Sequence, residues 1–229
     1  MHWSDKKADK TYEVPDDIID LSFSIRCKHL PLEHAYSFTQ AVMRALPWIE
    51  NEPDCGIHLI HGAGSSNGWI RPENPDTELL HLSHRTRMAI RIPKGRIDDA
   101  NKLTGKILDI DGHELTVGDS KIKSLSKLDT IFTRYLVTDP GLDEAAFVEK
   151  VIKSLEAMDI PVYKILCGLS HNLKTPNGPV HTRSVMLAEL TAQQSVLLQQ
   201  RGLGPLRTMG CGLFIAHKGI AAVKEASEK

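Results

Sequence analysis

The stretch TAQQSVLLQQRGLGPLRTMGCGLFIA, at residues 191–216, decides how we interpret this chain. Thr191, followed three residues later by Gln194, is a capping box that starts a helix. Gly202 stands where a helix-ending residue with positive φ belongs. The apolar residues at the end of the stretch predict a short strand. The order is therefore a helix, a glycine-rich basic loop and a strand.

The loop within this stretch has the composition of a phosphate-binding segment. Glycines let backbone N–H groups approach a ligand, and arginines supply forked donors for phosphate. A dinucleotide fingerprint is excluded because there the strand precedes the helix, and no Gly-Lys-Ser/Thr ending supports a Walker loop. We expect a phosphodiester backbone as the ligand; the alternative is a plain helix C-cap followed by a turn. The residues predicted to bind it are Arg201, Gly202, Gly204, Arg207, Gly210 and Gly212.

Composition places the chain among ordinary globular proteins. The 229 residues carry a formal net charge of −1, which allows a local basic groove but excludes a uniformly basic surface. The four cysteines are scattered without a CxxC pair, so neither a zinc knuckle nor a redox motif is expected. Residues 1–10 are polar, and no apolar run is long enough to span a membrane. We expect a cytoplasmic protein with no membrane partner.

The first half of the chain predicts the element order β-α-β-β-α-β. Its last part, residues 106–117, forms either one closing strand or a hairpin around Asp111-Gly112. In the strand at 85–92, Arg87 and Arg91 are predicted to face outward, lining an RNA track or pairing with acids. That strand has no aromatic residue, so base stacking on the sheet is not expected. The other predicted elements are strands at 21–25 and 56–61, helices at 33–46 and 97–103, and a hairpin at 61–68.

The second half repeats this order. A helix at 143–158 is predicted to bury Val148, Val151, Ile152, Leu155 and Met158. The remaining elements are strands at 131–138, 162–169, 183–190 and 210–216, and the capped helix that follows Thr191. The fold class is therefore α+β, with two tandem ferredoxin-like (βαββαβ) domains at 13–126 and 127–218.

Two stretches resemble a known family. LPLEHAYSFTQAV at 30–42 resembles its first helix with proline, acidic residue and histidine, and LLQQRGLGPLRTMGCGLF at 197–214 resembles its C-terminal glycine-rich signature. The family is the sixth Cas family, the CRISPR-associated endoribonucleases that cut repeat RNA, in the branch associated with the MYXAN subtype. The resemblance implies cleavage without a metal or cofactor. It also implies retention of the guide RNA among the other subunits of an interference complex.

The resemblance implies that His34 is the catalytic residue. Cleavage by the RNA's own 2′-OH needs a proton acceptor and a proton donor, and imidazole suits either task near neutral pH. His34 stands in the first turn of a predicted helix, where free N–H groups favour a phosphate. The alternative is a packed, hydrogen-bonded histidine. Sequence does not assign His34 as acid or base.

A basic hairpin around Asn177-Gly178 is the second candidate RNA contact. Lys174 and Arg183 flank this turn and are predicted to reach the RNA, as a hairpin or a single strand; the alternative is a solvated hairpin. Two rival functions stay open for the whole chain. One is a non-catalytic RNA-binding subunit of a CRISPR complex, and the other is a nucleotide-binding sensor. His58 and His61 are three apart in a predicted strand and face opposite sides, so no metal site is expected.

Overall fold

The computed structural model describes residues 12–61 and 79–217. The helices are α1 (Ala35–Ala45), α2 (Ile97–Asn101), α3 (Glu144–Glu156) and α4 (Ala192–Arg201). The strands of the first half are β1 (Ile18–Arg26), β2 (His29–Pro31), β3 (Gly56–His58), β4 (Leu79–His81), β5 (Arg87–Pro93), β6 (Ile107–Ile110) and β7 (His113–Lys123). Those of the second half are β8 (Ile131–Val137), β9 (Lys164–Leu173), β10 (Val180–Ala188) and β11 (Ile215–Ala216).

Two antiparallel sheets form the frame of the molecule. The first has the order β3-β5-β1-β7-β6, and the second has the order β11-β8-β10-β9. When the four strands of each βαββαβ unit are numbered along the chain, both sheets read 4-1-3-2, with β6 added at the edge of the first. The predicted α+β class with two tandem ferredoxin-like units is therefore confirmed.

The hairpin alternative for residues 106–117 is correct. β6 pairs with β7, and Asp111 and Gly112 both have positive φ, at 50° and 81°. Two positive φ values in a two-residue turn match the twist of the strands that it joins. The strand predicted at 56–61 is shorter than expected and ends at His58. Most of the hairpin predicted at 61–68 lies outside the described residues.

The buried stripe of α3 contains two of the five predicted residues and adds Phe147. Phe147, Val151 and Leu155 are its buried residues, whereas Val148 and Ile152 are only partly buried. The i, i+4, i+8 spacing from Phe147 forms a narrower stripe than the predicted one. Phe147 is fully buried in the second core, and its ring also lies under the Arg183 guanidinium. The large ring therefore sets which side of α3 meets the sheet.

Of the two alternatives for Arg91, pairing with an acid is confirmed, but the outer face of its strand is covered here and not exposed to solvent. Its side chain is fully buried and makes a bidentate pair with Asp20, at 2.8 and 2.9 Å. Its remaining amine group donates to the carbonyls of Gln199 (2.7 Å) and Phe214 (3.0 Å). The outer face of the first sheet is covered here by the second half of the chain, so Arg91 pairs with an acid and joins the two halves.

The chain passes between the two sheets after Lys123. The Gln199 side chain holds this connection at Ser126, accepting from its N–H (3.0 Å) and donating to its carbonyl (2.7 Å). The core of the first half extends across the join, because Leu173 and Met209 belong to it. We keep the predicted domain bounds, 13–126 and 127–218, as a proposal.

Candidate functional site

His34 caps the start of α1, one residue before the helix begins. Its side chain is only 4% exposed. Nδ1 lies 2.9 Å from the carbonyl oxygen of Pro31, and a carbonyl only accepts, so Nδ1 carries the proton. Nε2 then presents a lone pair, and this buried atom has no hydrogen-bond partner in the described part of the chain. A buried polar atom without a partner is uncommon and points to a missing ligand or water.

Burial lowers the pKa of His34, although the backbone bonds at Pro31 and Leu32 and the charge of Asp111 oppose it. The imidazole is therefore neutral at pH 7. A neutral ring whose Nε2 accepts is the form that a general base requires. The geometry thus favours a base over an acid, a choice that the sequence left open.

The glycine loop, residues 202–214, lies against α1 and β8. The Thr39 hydroxyl, on the buried side of α1, donates to the carbonyl of Thr208 at 2.8 Å. On the other side, the Gly212 N–H donates to the carbonyl of Tyr135 at 2.7 Å. The helix α1 therefore packs against the glycine-rich segment. This contact brings together the two stretches, 30–42 and 197–214, that carry the family resemblance.

Rings from both halves of the chain meet beside this loop. The His61 ring stacks on Tyr135 with centroids 6.1 Å apart, and the His171 ring meets Tyr135 edge-on at 5.8 Å. His34 is near enough to His61 that a proton on one ring disfavours a proton on the other. We call His34, His61, Tyr135 and His171 the junction cluster. Sequence reasoning missed Tyr135, although an Arg-Tyr pair in the first strand of the second unit was a signal for a basic, aromatic position.

Burial first, and then the nearness of Arg134, His34, His58 and His171, together lower the pKa of His61 to about 3. His61 is therefore neutral across the physiological range. In the unfolded chain the ring binds a proton below its ordinary pKa of about 6.5. The folded state consequently loses stability as the pH falls from 6.5 towards 3.

Lowering the pH from 7 to 4.5 is expected to cost about 2 kcal/mol of unfolding free energy through His61 alone. A His61→Phe variant keeps a ring against Tyr135 without a titrating group, so that part of the pH dependence should disappear. Urea denaturation of both proteins at the two pH values measures it. Equal pH dependence in the two proteins would show that His61 protonates freely in the folded state.

Three of the predicted glycines are buried by the loop's own packing. The N–H groups of Gly202, Gly210 and Gly212 donate to the carbonyls of Leu198, Arg207 and Tyr135, at 2.7 to 3.0 Å. All three have positive φ, from 64° to 78°. Gly204 (φ 75°) is exposed together with Arg201. The backbone conformation of the loop is thus a sufficient reason for glycine at these three positions. A contact of these glycines with RNA stays a prediction.

Gly212→Ala is expected to destabilise the protein by ~2–3 kcal/mol, because the new Cβ would lie 1.8 Å from the carbonyl oxygen of Leu203. Gly204→Ala is the matched control. Its φ is also positive, but its Cβ would meet only Leu136, at 3.5 Å, so the cost should be about 1 kcal/mol. Thermal unfolding compares the two variants. Equal losses would mean that φ alone sets the requirement for glycine.

Most of the guanidinium N–H donors of Arg207 form hydrogen bonds within the chain. Nη1 donates to the carbonyl of Arg201 (2.7 Å), and Nη2 donates to those of Gln200 (2.8 Å) and Asp54 (3.3 Å). Two of these carbonyls end α4 and need donors. Burial lowers the pKa of Arg207, but the group stays charged at neutral pH. Arg207 therefore holds the loop to the helix end, and an RNA contact from it stays a prediction.

The two hairpin residues occupy different environments. Lys174 is exposed beside the turn that joins β9 to β10. Arg183 lies on the helix side of the second sheet, where its guanidinium covers the Phe147 ring at 5.6 Å and Nε donates to Ser170 Oγ at 3.3 Å. Arg183 pairs with Leu136 of β8, which belongs to the second core. The structure therefore separates Arg183 from the junction cluster.

Within residues 12–61 and 79–217, no three His, Cys, Asp or Glu side chains come together in a way that would hold a metal ion. None of the helices in these same ranges is long and apolar enough to cross a membrane.

Comparison with known proteins gives matches over nearly the whole chain. The sequence profile of the family described as Cas6 Crispr matches residues 19–219. A curated relative, the CRISPR-associated endonuclease Cas6 of Myxococcus xanthus, is 29% identical over 206 residues. The match covers 90% of this chain and 84% of the relative.

Solved structures share the fold at low sequence identity. A CRISPR associated protein Cas6 superposes with a TM-score of 0.60 at 14% identity, covering 88% of this chain and all of that one. A RAMP protein described as binding different RNA substrates also gives 0.60, at 13% identity, covering 87% and 100%. A Cas6-related protein from Pyrococcus furiosus gives 0.52 at 12% identity, covering 86% and 97%.

Proposed function

Because this chain belongs to the Cas6 family of CRISPR-associated proteins, we propose that it is an endoribonuclease that cuts CRISPR repeat transcripts into guide RNAs. The name of the Myxococcus relative supports an endonuclease. The observation that carries the proposal is the buried, unpartnered Nε2 of His34 at the start of α1, the helix that is bonded through Thr39 to the glycine-rich segment.

The reaction is an attack of the 2′-OH on the adjacent phosphorus. Nε2 of His34 takes the 2′-OH proton while Nδ1–H stays bonded to the Pro31 carbonyl. The 2′ oxygen forms a bond to phosphorus, the bond to the 5′ oxygen breaks, and that oxygen takes up a proton from water. The products are a 2′,3′-cyclic phosphate and a 5′-hydroxyl. The reaction needs two proton transfers and no metal.

The burial of His34 adds a condition to this proposal. Nε2 has almost no exposed surface. A 2′-OH therefore reaches it only if the surroundings of the ring rearrange when RNA binds. The same burial is the observation that favours the second candidate, a non-catalytic RNA-binding subunit in which His34 is a packed histidine.

The RNA-holding residues divide into two groups by exposure. We assign direct RNA contacts to Lys174, Arg201 and Gly204, which are exposed. The remaining predicted residues act by shaping the loop or the hairpin: Gly202, Arg207, Gly210, Gly212 and Arg183. After the cut the protein keeps the guide and presents it, in the cytoplasm, to the other subunits of a CRISPR effector complex.

The test is single-turnover cleavage of end-labelled repeat RNA in EDTA. The nuclease proposal expects one cut at a defined position, and a cyclic phosphate on the upstream fragment. RNA that is bound but stays intact would favour the non-catalytic subunit. Cleavage that appears only after Mg²⁺ is added would contradict the metal-independent mechanism.

A further inference from the structure

A line of apolar side chains crosses the second sheet. The register places Ile215, Phe132, Met186 and Leu166 side by side on β11, β8, β10 and β9. We call these four residues the apolar row. Leu166 is 58% exposed and Ile215 is 42% exposed, although both are large hydrophobic residues. Each strand of the sheet therefore contributes one apolar side chain to a surface that the described residues leave partly open.

The apolar row lies on the face of the sheet opposite the helices. Successive side chains of a strand point to opposite faces. Ile131, Val185 and Leu187, the chain neighbours of the row on β8 and β10, are fully buried in the second core. The row therefore belongs to the other face, opposite the helices of the second half that the structure describes.

Phe132, at the centre of the row, carries a cation above its ring. The Arg134 guanidinium lies 5.5 Å from the ring centroid, and the His217 ring meets Phe132 edge-on at 6.1 Å. Single-stranded RNA is bound by stacking its bases on aromatic rings or on arginine guanidinium planes. An aromatic ring and a guanidinium on one open sheet face combine both elements.

This face leads to the junction cluster. β8 continues from Phe132 through Arg134 to Tyr135. The three residue steps from Phe132 to Tyr135 cover about 10 Å, which is the length of about three stacked nucleotides. Next to the apolar row, Gly168 and Ser184 stand two residues from Leu166 and Met186 on β9 and β10. A Cβ added at Gly168 would lie 2.5 Å from Ser184 Oγ, so glycine keeps this part flat.

We propose that the open face of the second sheet binds a single-stranded segment of the RNA, with one base stacked on the Phe132–Arg134 pair. The proposal rests on the proposed function, because the junction cluster marks where the RNA is cut. The stacked base belongs to a nucleotide within a few positions of the cut. In the first sheet, the described strands contain one Phe, Tyr or Trp residue, Phe23, and it is fully buried.

Phe132→Leu is expected to weaken RNA binding about 5- to 150-fold, the effect of one stacked base. Phe132→Tyr keeps a ring and is the matched control, with affinity close to that of the wild type. The probe is fluorescein-labelled repeat RNA with a 2′-deoxyribose at the mapped cut. If the wild type makes no cut, unmodified repeat RNA serves, because it stays intact.

A scan of the RNA removes the same contact by deleting the base and keeping the Phe132 ring. Repeat RNAs with one abasic nucleotide each are bound to wild type and to Phe132→Leu. One position near the cut should reproduce the loss seen with Phe132→Leu, and the two losses should not add. The sensitive position itself does not depend on how well the variant folds, because the wild type alone shows it.

Three outcomes would overturn the proposal. Wild-type cleavage with unchanged Phe132→Leu affinity, and no sensitive position near the cut, would leave the nuclease standing and assign the face to a protein partner. Additive losses would place the stacked base elsewhere. Absence of both binding and cleavage by the wild type would overturn the proposed function together with this proposal.

Discussion

Replacing His34 by alanine is expected to slow RNA cleavage about 10²- to 10⁴-fold, the usual contribution of a positioned acid or base. RNA affinity should stay close to that of the wild type, because the residues assigned to RNA contact are elsewhere. Single-turnover cleavage at saturating protein measures the rate, and binding of the 2′-deoxy repeat RNA measures the affinity. His84→Ala is the control, since His84 is an exposed histidine of a surface loop.

The pH dependence of the wild-type rate tests the role of His34 as a base. A base works in its neutral form, and burial lowers the pKa of His34. The rate should therefore be flat from pH 6.5 to 8 and fall only at lower pH. A rate that falls as the pH rises through 6.5 to 8 would make His34 an acid. Full activity of His34→Ala would remove it from the chemistry.

Arg91→Ala is expected to lower the unfolding free energy by ~3 kcal/mol, because the largely buried Asp20 carboxylate loses its bidentate partner and keeps only His58. Burial disfavours the charged form of Asp20, but Arg91 and then His58 outweigh it and hold its pKa well below the usual range. The variant also removes the donors of two carbonyls in the second half, at Gln199 and Phe214. Urea denaturation at pH 7 measures the loss.

Arg87→Ala is the matched control for Arg91→Ala. Arg87 occupies the same strand, four residues earlier, but is exposed. Its removal should change the unfolding free energy by no more than about 0.5 kcal/mol. Similar losses of unfolding free energy in the two variants would contradict the claim that Arg91 joins the two halves of the chain.

Local signals predicted the elements well, because each one depends on a few neighbouring residues. Thr191 and Gln194 form the capping box that their spacing indicates, and Gly202 ends the helix with positive φ. Asp111 and Gly112 form the hairpin that was one of two alternatives. Both sheets follow the strand order that the repeated βαββαβ pattern predicts.

Contacts between distant parts of the chain were beyond the sequence pattern. Arg91 alternates with apolar residues in its strand, a pattern that looks solvent-facing until the second half covers it. The last strand was predicted at 210–216 but has only two residues, because the glycine loop uses the chain up to Phe214. The junction cluster joins His61 to Tyr135 across the two halves, and no local pattern indicates such a pairing.

The measurement that tests the central claim most directly compares two repeat RNAs that differ by one oxygen atom. One carries ribose and the other 2′-deoxyribose immediately upstream of the cut, and both are incubated with the wild-type protein in EDTA. The account predicts that the two bind equally, that the ribose strand is cut, and that the deoxyribose strand stays intact. Cleavage of the deoxyribose strand at the same position would contradict attack by the RNA's own hydroxyl.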